Sequence, residues 1–364
     1  MIFLYLVFFF LILRFTVTLF NFISNPKLTH SIKKYKDFVS ILIPARNEEE
    51  NIIALLKSIR DQNYKEVEVI VLDDGSTDNT FHLCQTFSAN DDRFKIIQGQ
   101  DLPGGWLGKN FACYQLAKIA KGKYLLFLDA DETIADGLIH NAIHRMKTYN
   151  LSLLSLFTNQ VMLSIGERLV IPMMHFLLLN LLPLRLVQLT KNPAFSAASG
   201  QFMLFEARNY HAKQWHEQVK NKVVEDVEIM KLVKGYGFNA EALLANGYIS
   251  CRMYKSYSEA INGFSKNLLA GFNNNIWGLF LYLIPVISGP FAIAWFLGNN
   301  LFFFALSLII LSRMMISLLS GQNAWLNVIL HPLQMLSLVI ISVISIKKHF
   351  SKTITWKGRT ISSK

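Results

Sequence analysis

Val67-Glu68-Val69-Ile70-Val71-Leu72-Asp73-Asp74-Gly75-Ser76-Thr77-Asp78 is the stretch that decides the fold. Its first six residues, mostly β-branched or aliphatic, have the length and composition of a strand buried on both faces. The acids, glycine and hydroxyls that follow have the chemistry of a turn. The pattern recurs at Tyr124-Leu125-Leu126-Phe127-Leu128, which runs into Asp129-Ala130-Asp131. In an open α/β sheet, ligands bind beyond the carboxyl ends of the strands, where both acidic clusters fall. Two aspartates flanking a small residue offer oxygen ligands to a hard divalent cation, and such a cation can neutralise a diphosphate leaving group. The pattern points to an enzyme acting on a nucleotide diphosphate.

Working outward, Ser40-Ile41-Leu42-Ile43-Pro44 is a further strand. A polar turn, Ala45 to Asn51, separates it from a helical pattern with Ile52, Leu55, Leu56 and Ile59 on one face. Strand, turn, helix, strand, acidic turn and helix make a βαβ unit, so the predicted fold class is α/β with a mostly parallel sheet.

Pro44-Ala45-Arg46-Asn47-Glu48-Glu49, Asp73 to Asp78 and Asp129-Ala130-Asp131, in this order and spacing, resemble the nucleotide-sugar-binding half of family 2 glycosyltransferases of the GT-A fold. Gly105 to Tyr114, Arg252-Met253-Tyr254 and the terminal Trp356-Lys357-Gly358-Arg359 resemble the membrane-bound branch that glycosylates carotenoid acids; a related branch is associated with hopanoids. The resemblance implies that Asp129 and Asp131 bind Mg²⁺ or Mn²⁺ and, through it, the donor's phosphates. It implies that Asp73 and Asp74 contact the nucleoside, that Arg46 and Glu48 contact base or ribose, and that Asp226, beside Glu225, is the general base of an inverting transfer. Each cluster also has a plainer reading: a capping turn for the first acids, and macrodipole-favoured acids at a helix start for Glu225 and Asp226.

Other candidates lie on the acceptor or diphosphate side. Lys109 could reach a phosphate and Trp106 could stack on a sugar, or both belong to an exposed loop. Gln201, after the small residues Ser196 to Gly200, could bind sugar hydroxyls or pack in the core. Arg252, Trp356 and Arg359 could neutralise the leaving diphosphate, with interfacial anchoring as the alternative for the terminal motif.

Across 364 residues, 52% are hydrophobic, which is excessive for an ordinary soluble enzyme and predicts one catalytic domain plus membrane segments. The three cysteines, Cys84, Cys113 and Cys251, lie far apart without metal-ligand spacing. The net charge of +11 gathers beside apolar spans, at Lys27, Lys33, Lys34 and Lys36 and again from Lys347 to Lys364. Anionic phospholipid headgroups therefore fit better than nucleic acid as a partner.

Residues 1–23 read as an uncleaved anchor, with the cytoplasmic side marked by the lysines that follow. The catalytic domain is expected over 38–275, membrane segments over 276–346 and a basic cytoplasmic tail over 347–364. Spans are expected near 276–297, 301–319 and 325–346, with a break at Ser288-Gly289-Pro290. Three full crossings would carry the tail outside, against the charge rule, so either one segment fails to span or the rule fails. Residues 169–189 are apolar enough to cross, but crossing would separate the acids from Asp226; an interfacial helix pair broken at Pro183, with Arg185 and Lys191 at the headgroups, is expected instead.

The expected reaction moves one sugar from a nucleotide sugar, UDP-glucose by resemblance, to a membrane lipid of the carotenoid acid or alcohol type. A processive polysaccharide synthase is disfavoured because the Gln-x-x-Arg-Trp string of polymerising relatives is absent. An inactive lipid-binding scaffold is the other alternative.

Overall fold

The computed structural model describes residues 2–351, 354–356 and 359–361. An apolar helix, α1 (Ile2–Ser24), precedes β1 (Val39–Ala45), α2 (Ile52–Arg60), β2 (Val67–Asp73), α3 (Thr80–Ser88) and β3 (Phe94–Gln98). Then come α4 (Gly108–Ile119), β4 (Tyr124–Leu128), β5 (Glu132–Ile134), α5 (Leu138–Thr148), β6 (Leu153–Phe157) and β7 (Asn159–Gln160). Three short helices follow, α6 (Ile165–Val170), α7 (Pro172–Leu181) and α8 (Leu186–Leu189), and lead to β8 (Phe202–Glu206), α9 (Ala207–Lys213), α10 (Trp215–Gln218), α11 (Glu225–Gly235), β9 (Ala240–Leu244) and β10 (Ile249–Cys251). The remainder is α12 (Tyr257–Gly271), α13 (Ile276–Leu297), α14 (Asn299–Leu319), α15 (Ala324–Ile329), α16 (His331–Ser351) and a hairpin of β11 (Ile354–Trp356) and β12 (Arg359–Ile361).

The main sheet runs β3-β2-β1-β4-β8-β6-β9. Its pairs are parallel except for β8, which runs antiparallel to both β4 and β6. Strand alternation sends Leu42, Ile70, Leu72, Leu125 and Phe127 to one core and Ile41, Ile43, Val69, Val71, Leu126 and Leu128 to the other. Burial of both faces explains why these strands read as continuous apolar runs. Because β1 lies between β2 and β4, the two acidic turns flank the turn after Ala45, whose register partner is Asp73.

The domain begins earlier than residue 38. Lys27 makes a parallel bridge to Leu244, Leu28 is fully buried, and the Lys27 ammonium donates to the Leu318 carbonyl at the end of α14. This lysine is therefore tied to protein, as is Lys348, which donates to the Asn262 carbonyl and to Ser265 Oγ.

Among the described residues, four helices, α1, α13, α14 and α16, are long and apolar enough to cross a membrane. Three expectations about this region need correction. Ser288-Gly289-Pro290 does not break α13, which continues through Pro285 and Pro290. Gly289 lets α1 approach, since a Cβ there would come 2.8 Å from Val7 Cγ1. The third C-terminal segment divides into α15 and α16, with α16 starting at His331 rather than at 325 because Pro332 suits a helix's first turn. Residues 169–189 form parts of α6, α7 and α8; α7 packs on α1 and α14 and buries Met173, His175, Phe176 and Leu179, so it is not a simple interfacial helix. Arg185 turns inward to Glu241, 3.4 Å away, and Lys191 bonds Asn239.

Candidate active site

The turn after β1 and the turn after β2 are laced together. Asn47, held at a φ of +53°, accepts from Thr77 N–H; Thr80 Oγ1 accepts from Glu48 N–H; Asp78 accepts from Glu49 N–H. Arg46 donates to the Asp74 carbonyl. Asp73 Oδ2 accepts from Ser76 N–H, whereas its buried Oδ1 has no partner among the described residues. Arg46, Glu48, Asp73 and Asp74 thus share one rim, as expected from their motifs.

Across β1, the end of β4 presents Asp129 and Asp131. Lys109, on the first turn of α4, places its ammonium 2.7 Å from Asp129 Oδ1 and 3.3 Å from Glu225 Oε1. Lys109, a candidate either for the donor's phosphate or for an exposed loop, bridges two carboxylates in the folded chain. Burial works against its charge, yet Asp129 and Glu225 hold its pKa well above the ordinary lysine value. Asp226 Oδ2 accepts from Gly200 N–H at 2.9 Å and its Oδ1 from Val227 N–H at 2.8 Å. Burial raises the Asp226 pKa and lifts that of Glu225 to about 7. Glu225 and Asp226 occupy the first turn of α11, where the macrodipole favours acids.

Gly200 reads in the sequence only as the end of the small-residue stretch before Gln201. A Cβ at this position would lie 3.0 Å from Lys109 Nζ, 3.1 Å from Glu225 Oε1 and 3.7 Å from Asp226 Oδ2. Its neighbour Gln201 spends its amide oxygen on Thr158 Oγ1 and Ser199 Oγ, the core-packing alternative of the two its sequence position offered. It contributes through its backbone carbonyl, which accepts from Asp129 N–H at 3.3 Å.

Asp131 is pushed up to about 6, first by burial and then by Asp129 and Glu48. Sequence spacing missed its neighbours Glu132 and Cys251, which β5 and β10 bring opposite each other. One ligand atom from each of Asp131, Glu132 and Cys251 lies within 4.8 Å of the others, and Cys251 Sγ donates to Asp131 Oδ2 at 3.4 Å. Both Glu132 carboxylate oxygens are buried without a partner among the described residues. Orphaned carboxylate oxygens, and a cluster of acids with Lys109 between two of them, fit a divalent cation.

Two other candidates are engaged elsewhere. Trp106 packs its ring on Phe111 and Tyr114, with centroids 5.3 and 4.9 Å away, rather than standing open for a sugar. Arg252 pairs with Glu167 Oε1 at 2.9 Å, which meets the charge that a diphosphate would otherwise take. Trp356 pairs with Arg359 across the terminal hairpin, but their side chains and residues 357–358 lie outside the described residues.

The sequence and the fold have counterparts among known proteins. Residues 40–209 match the family model described as "Glycosyl transferase family 2". The chain is a glycosyltransferase with a family 2 domain. The glycosyltransferase is 25% identical over 340 residues to 4,4'-diaponeurosporenoate glycosyltransferase of Staphylococcus haemolyticus, covering 90% of this chain and 89% of that one. Over 112 residues it is 38% identical to UDP-Glc:alpha-D-GlcNAc-diphosphoundecaprenol beta-1,3-glucosyltransferase WfaP of Escherichia coli, covering 31% of this chain and 42% of the relative. Its fold is like that of the mannosyltransferase PcManGT from Pyrobaculum calidifontis, solved with GDP-Man and Mn²⁺, at a TM-score of 0.58 and 15% identity over 96% of this chain and 99% of that one.

Proposed function

We propose that this glycosyltransferase moves a single sugar from a nucleotide diphosphate sugar, UDP-glucose in the first instance, to a membrane-dissolved lipid of the carotenoid acid or alcohol type. The observation that carries the reading is the meeting of Asp129, Glu225 and Asp226 around Lys109 and Gly200, beside the cation-suited Asp131. The relatives support donor and acceptor: one is a glycosyltransferase of diaponeurosporenoate, another takes UDP-Glc to a diphosphoundecaprenol-linked acceptor.

Asp131 and Asp129 would hold Mg²⁺ or Mn²⁺, which when bound neutralises the departing nucleoside diphosphate. Arg46, Glu48, Asp73 and Asp74 bind and orient the nucleoside. Lys109 keeps Asp129 and Glu225 at fixed spacing, so their charges are in place before the donor arrives. With a hydroxyl acceptor, Asp226 takes the proton; its raised pKa keeps it a competent base near neutral pH. A carboxylic acid acceptor is already ionised, and Asp226 then orients it through Gly200. Attack from the face opposite the leaving group inverts the anomeric carbon.

For the membrane, we infer that α1, α13 and α14 cross while α16 lies along the interface. α1, α13 and α14 pack on one another, whereas α16 lies against α12 and α6. Tyr257 Oη meets Ser337 Oγ at 3.2 Å, and Ser345 Oγ accepts from Leu269 N–H at 3.3 Å. α12 carries Glu259 and Lys266, which belong in water. Three crossings leave the tail and the catalytic domain on the side rich in lysine, the cytoplasm, and resolve the parity conflict.

The test is nucleoside diphosphate release by the full chain in vesicles, from UDP-glucose and from GDP-mannose, with and without lipid extract. Lipid-dependent release with one sugar per product lipid is expected. Polymer growth, or release indifferent to lipid, refutes the reading. For topology, an impermeant maleimide should label Asn299→Cys but not Lys364→Cys in intact cells.

A further inference from the structure

The apolar helices hold a second charged cluster, away from the acids. The sequence has no Asp or Glu before Asp37 or after Glu259, and α7 has none. Yet two guanidiniums and an imidazole surround one phenyl ring. Arg14 Cζ lies 5.3 Å from the Phe176 centroid and 5.4 Å from that of Tyr282. Arg313 Cζ lies 4.9 Å from the Phe176 centroid, and the His331 ring centre is 5.5 Å away from it.

Arg313 is fully buried and held still by amides. Its Nη2 donates to Gln334 Oε1 and its Nε to the Asn327 carbonyl at 3.5 Å. Gln334 in turn donates to Asn327 Oδ1 at 3.0 Å and to the Arg168 carbonyl at 2.8 Å. Every contact that orients this guanidinium is neutral, and its Nη1 is left without a partner among the described residues. Arg14 Nε and Asn180 Nδ2 are buried and unpartnered in the same way.

Aromatic faces and amides steady these cations but cancel no charge. Arg14 stands about 15 Å along α1 from Ser24, and Arg313 about 9 Å along α14 from Leu319, both at hydrocarbon depth if these helices cross. An ionisable side chain at such depth marks a ligand or ion site by default. Free anions in water do not reach this depth, but an amphiphile diffusing in the bilayer does, and Arg14 is only part-buried.

We propose that Arg14 and Arg313 form an anion site inside the helix bundle for the acidic head, carboxylate or phosphate, of a membrane-dissolved amphiphile. Its hydrocarbon chain stays in the bilayer alongside the bundle. The site is distinct from the Asp129 centre and does not depend on which sugar is transferred.

The test titrates the full chain, in phosphatidylcholine nanodiscs, with phosphatidylglycerol or with oleate, and reads bound amphiphile by native mass spectrometry. The wild type should bind one anionic amphiphile; Arg14→Gln and Arg313→Gln should each weaken this about tenfold, while Lys33→Gln, exposed and remote in sequence, leaves it unchanged. Selective binding of phosphatidylglycerol assigns the head as phosphate, and selective binding of oleate as carboxylate. Unchanged affinity in Arg14→Gln, or equal occupancy by phosphatidylcholine, overturns the proposal. Should Arg313→Gln fail to fold, Arg14→Gln and the charge-keeping Arg313→Lys decide.

Discussion

Lys109 stands 2.7 Å from Asp129, so a helix of one βαβ unit supplies the countercharge for an aspartate at the end of the next strand. The same ammonium reaches Glu225, at the start of α11. Three separate elements are therefore fastened at one point. Lys109→Met should leave buried Glu225 and half-buried Asp129 without their cation and lower stability by about 2 kcal/mol, read as an earlier thermal transition. Activity should fall further than that loss accounts for, by about 100-fold in kcat, because Asp129 and Glu225 then repel each other.

Asp131→Asn should abolish sugar transfer, with a drop of at least about 1000-fold, and should remove the response to added Mg²⁺ or Mn²⁺. Chelation of the wild type should reproduce the loss, and restoring the cation should reverse it. Asp226→Asn should cost less than Asp131→Asn if the acceptor is a carboxylic acid, and as much if it is an alcohol. Rates compared on the two acceptor types decide the point.

Gly200→Ala tests the crowding directly. The new methyl falls 3.0 Å from Lys109 Nζ and 3.1 Å from Glu225 Oε1, so charged groups must move apart. Turnover should decline about 10-fold or more with a thermal transition close to wild type, since the φ of Gly200 is not positive and the neighbouring ends are flexible side chains.

Arg145 grips Glu241 with two bonds, at 2.5 and 2.6 Å, in the interior beneath β9. Glu241→Gln should destabilise the domain by about 3 kcal/mol, visible as a lower urea midpoint, because Arg145 is left with a buried charge unpaired. Donor affinity of the surviving folded fraction should be unchanged.

His140 gives the fold a pH response. Its Nδ1 accepts from Tyr35 N–H at 3.1 Å, and burial, with a contribution from Lys34, depresses its pKa below 6.5. A folded-state pKa below the unfolded one means that this stability is complete above pH 6.5 and is lost as pH falls through the lower value. His140→Asn should flatten the stability profile on the acid side of about pH 6.5 relative to wild type.

The strands, the two acidic turns and the helix after Asn51 were legible because local pattern and tertiary role agree there: β-branched runs are buried on both faces, and polar turns close them. The same local reading failed at Ser288-Gly289-Pro290. A glycine and a proline signal a break in isolation, but Gly289 instead makes room for Val7 of another helix. Of the residues with two readings, Gln201 took the core one through Thr158 and Trp106 packed on Phe111 of its own motif, while Arg252 met Glu167, 85 positions away, which no local pattern announces.

The sequence by itself determined the α/β class, the βαβ unit that opens the domain, the acids at 129 and 131 and the apolar ends, all of which follow from side-chain periodicity and composition over short windows. Only the tertiary structure decided that Lys109 faces carboxylates, that Gly200 sits against three charged groups, and that Glu132 and Cys251 adjoin Asp131. These are contacts across crossovers, where antiparallel β8 and β10 return to the site; nothing in the local spacing of the chain encodes which distant side chain will arrive.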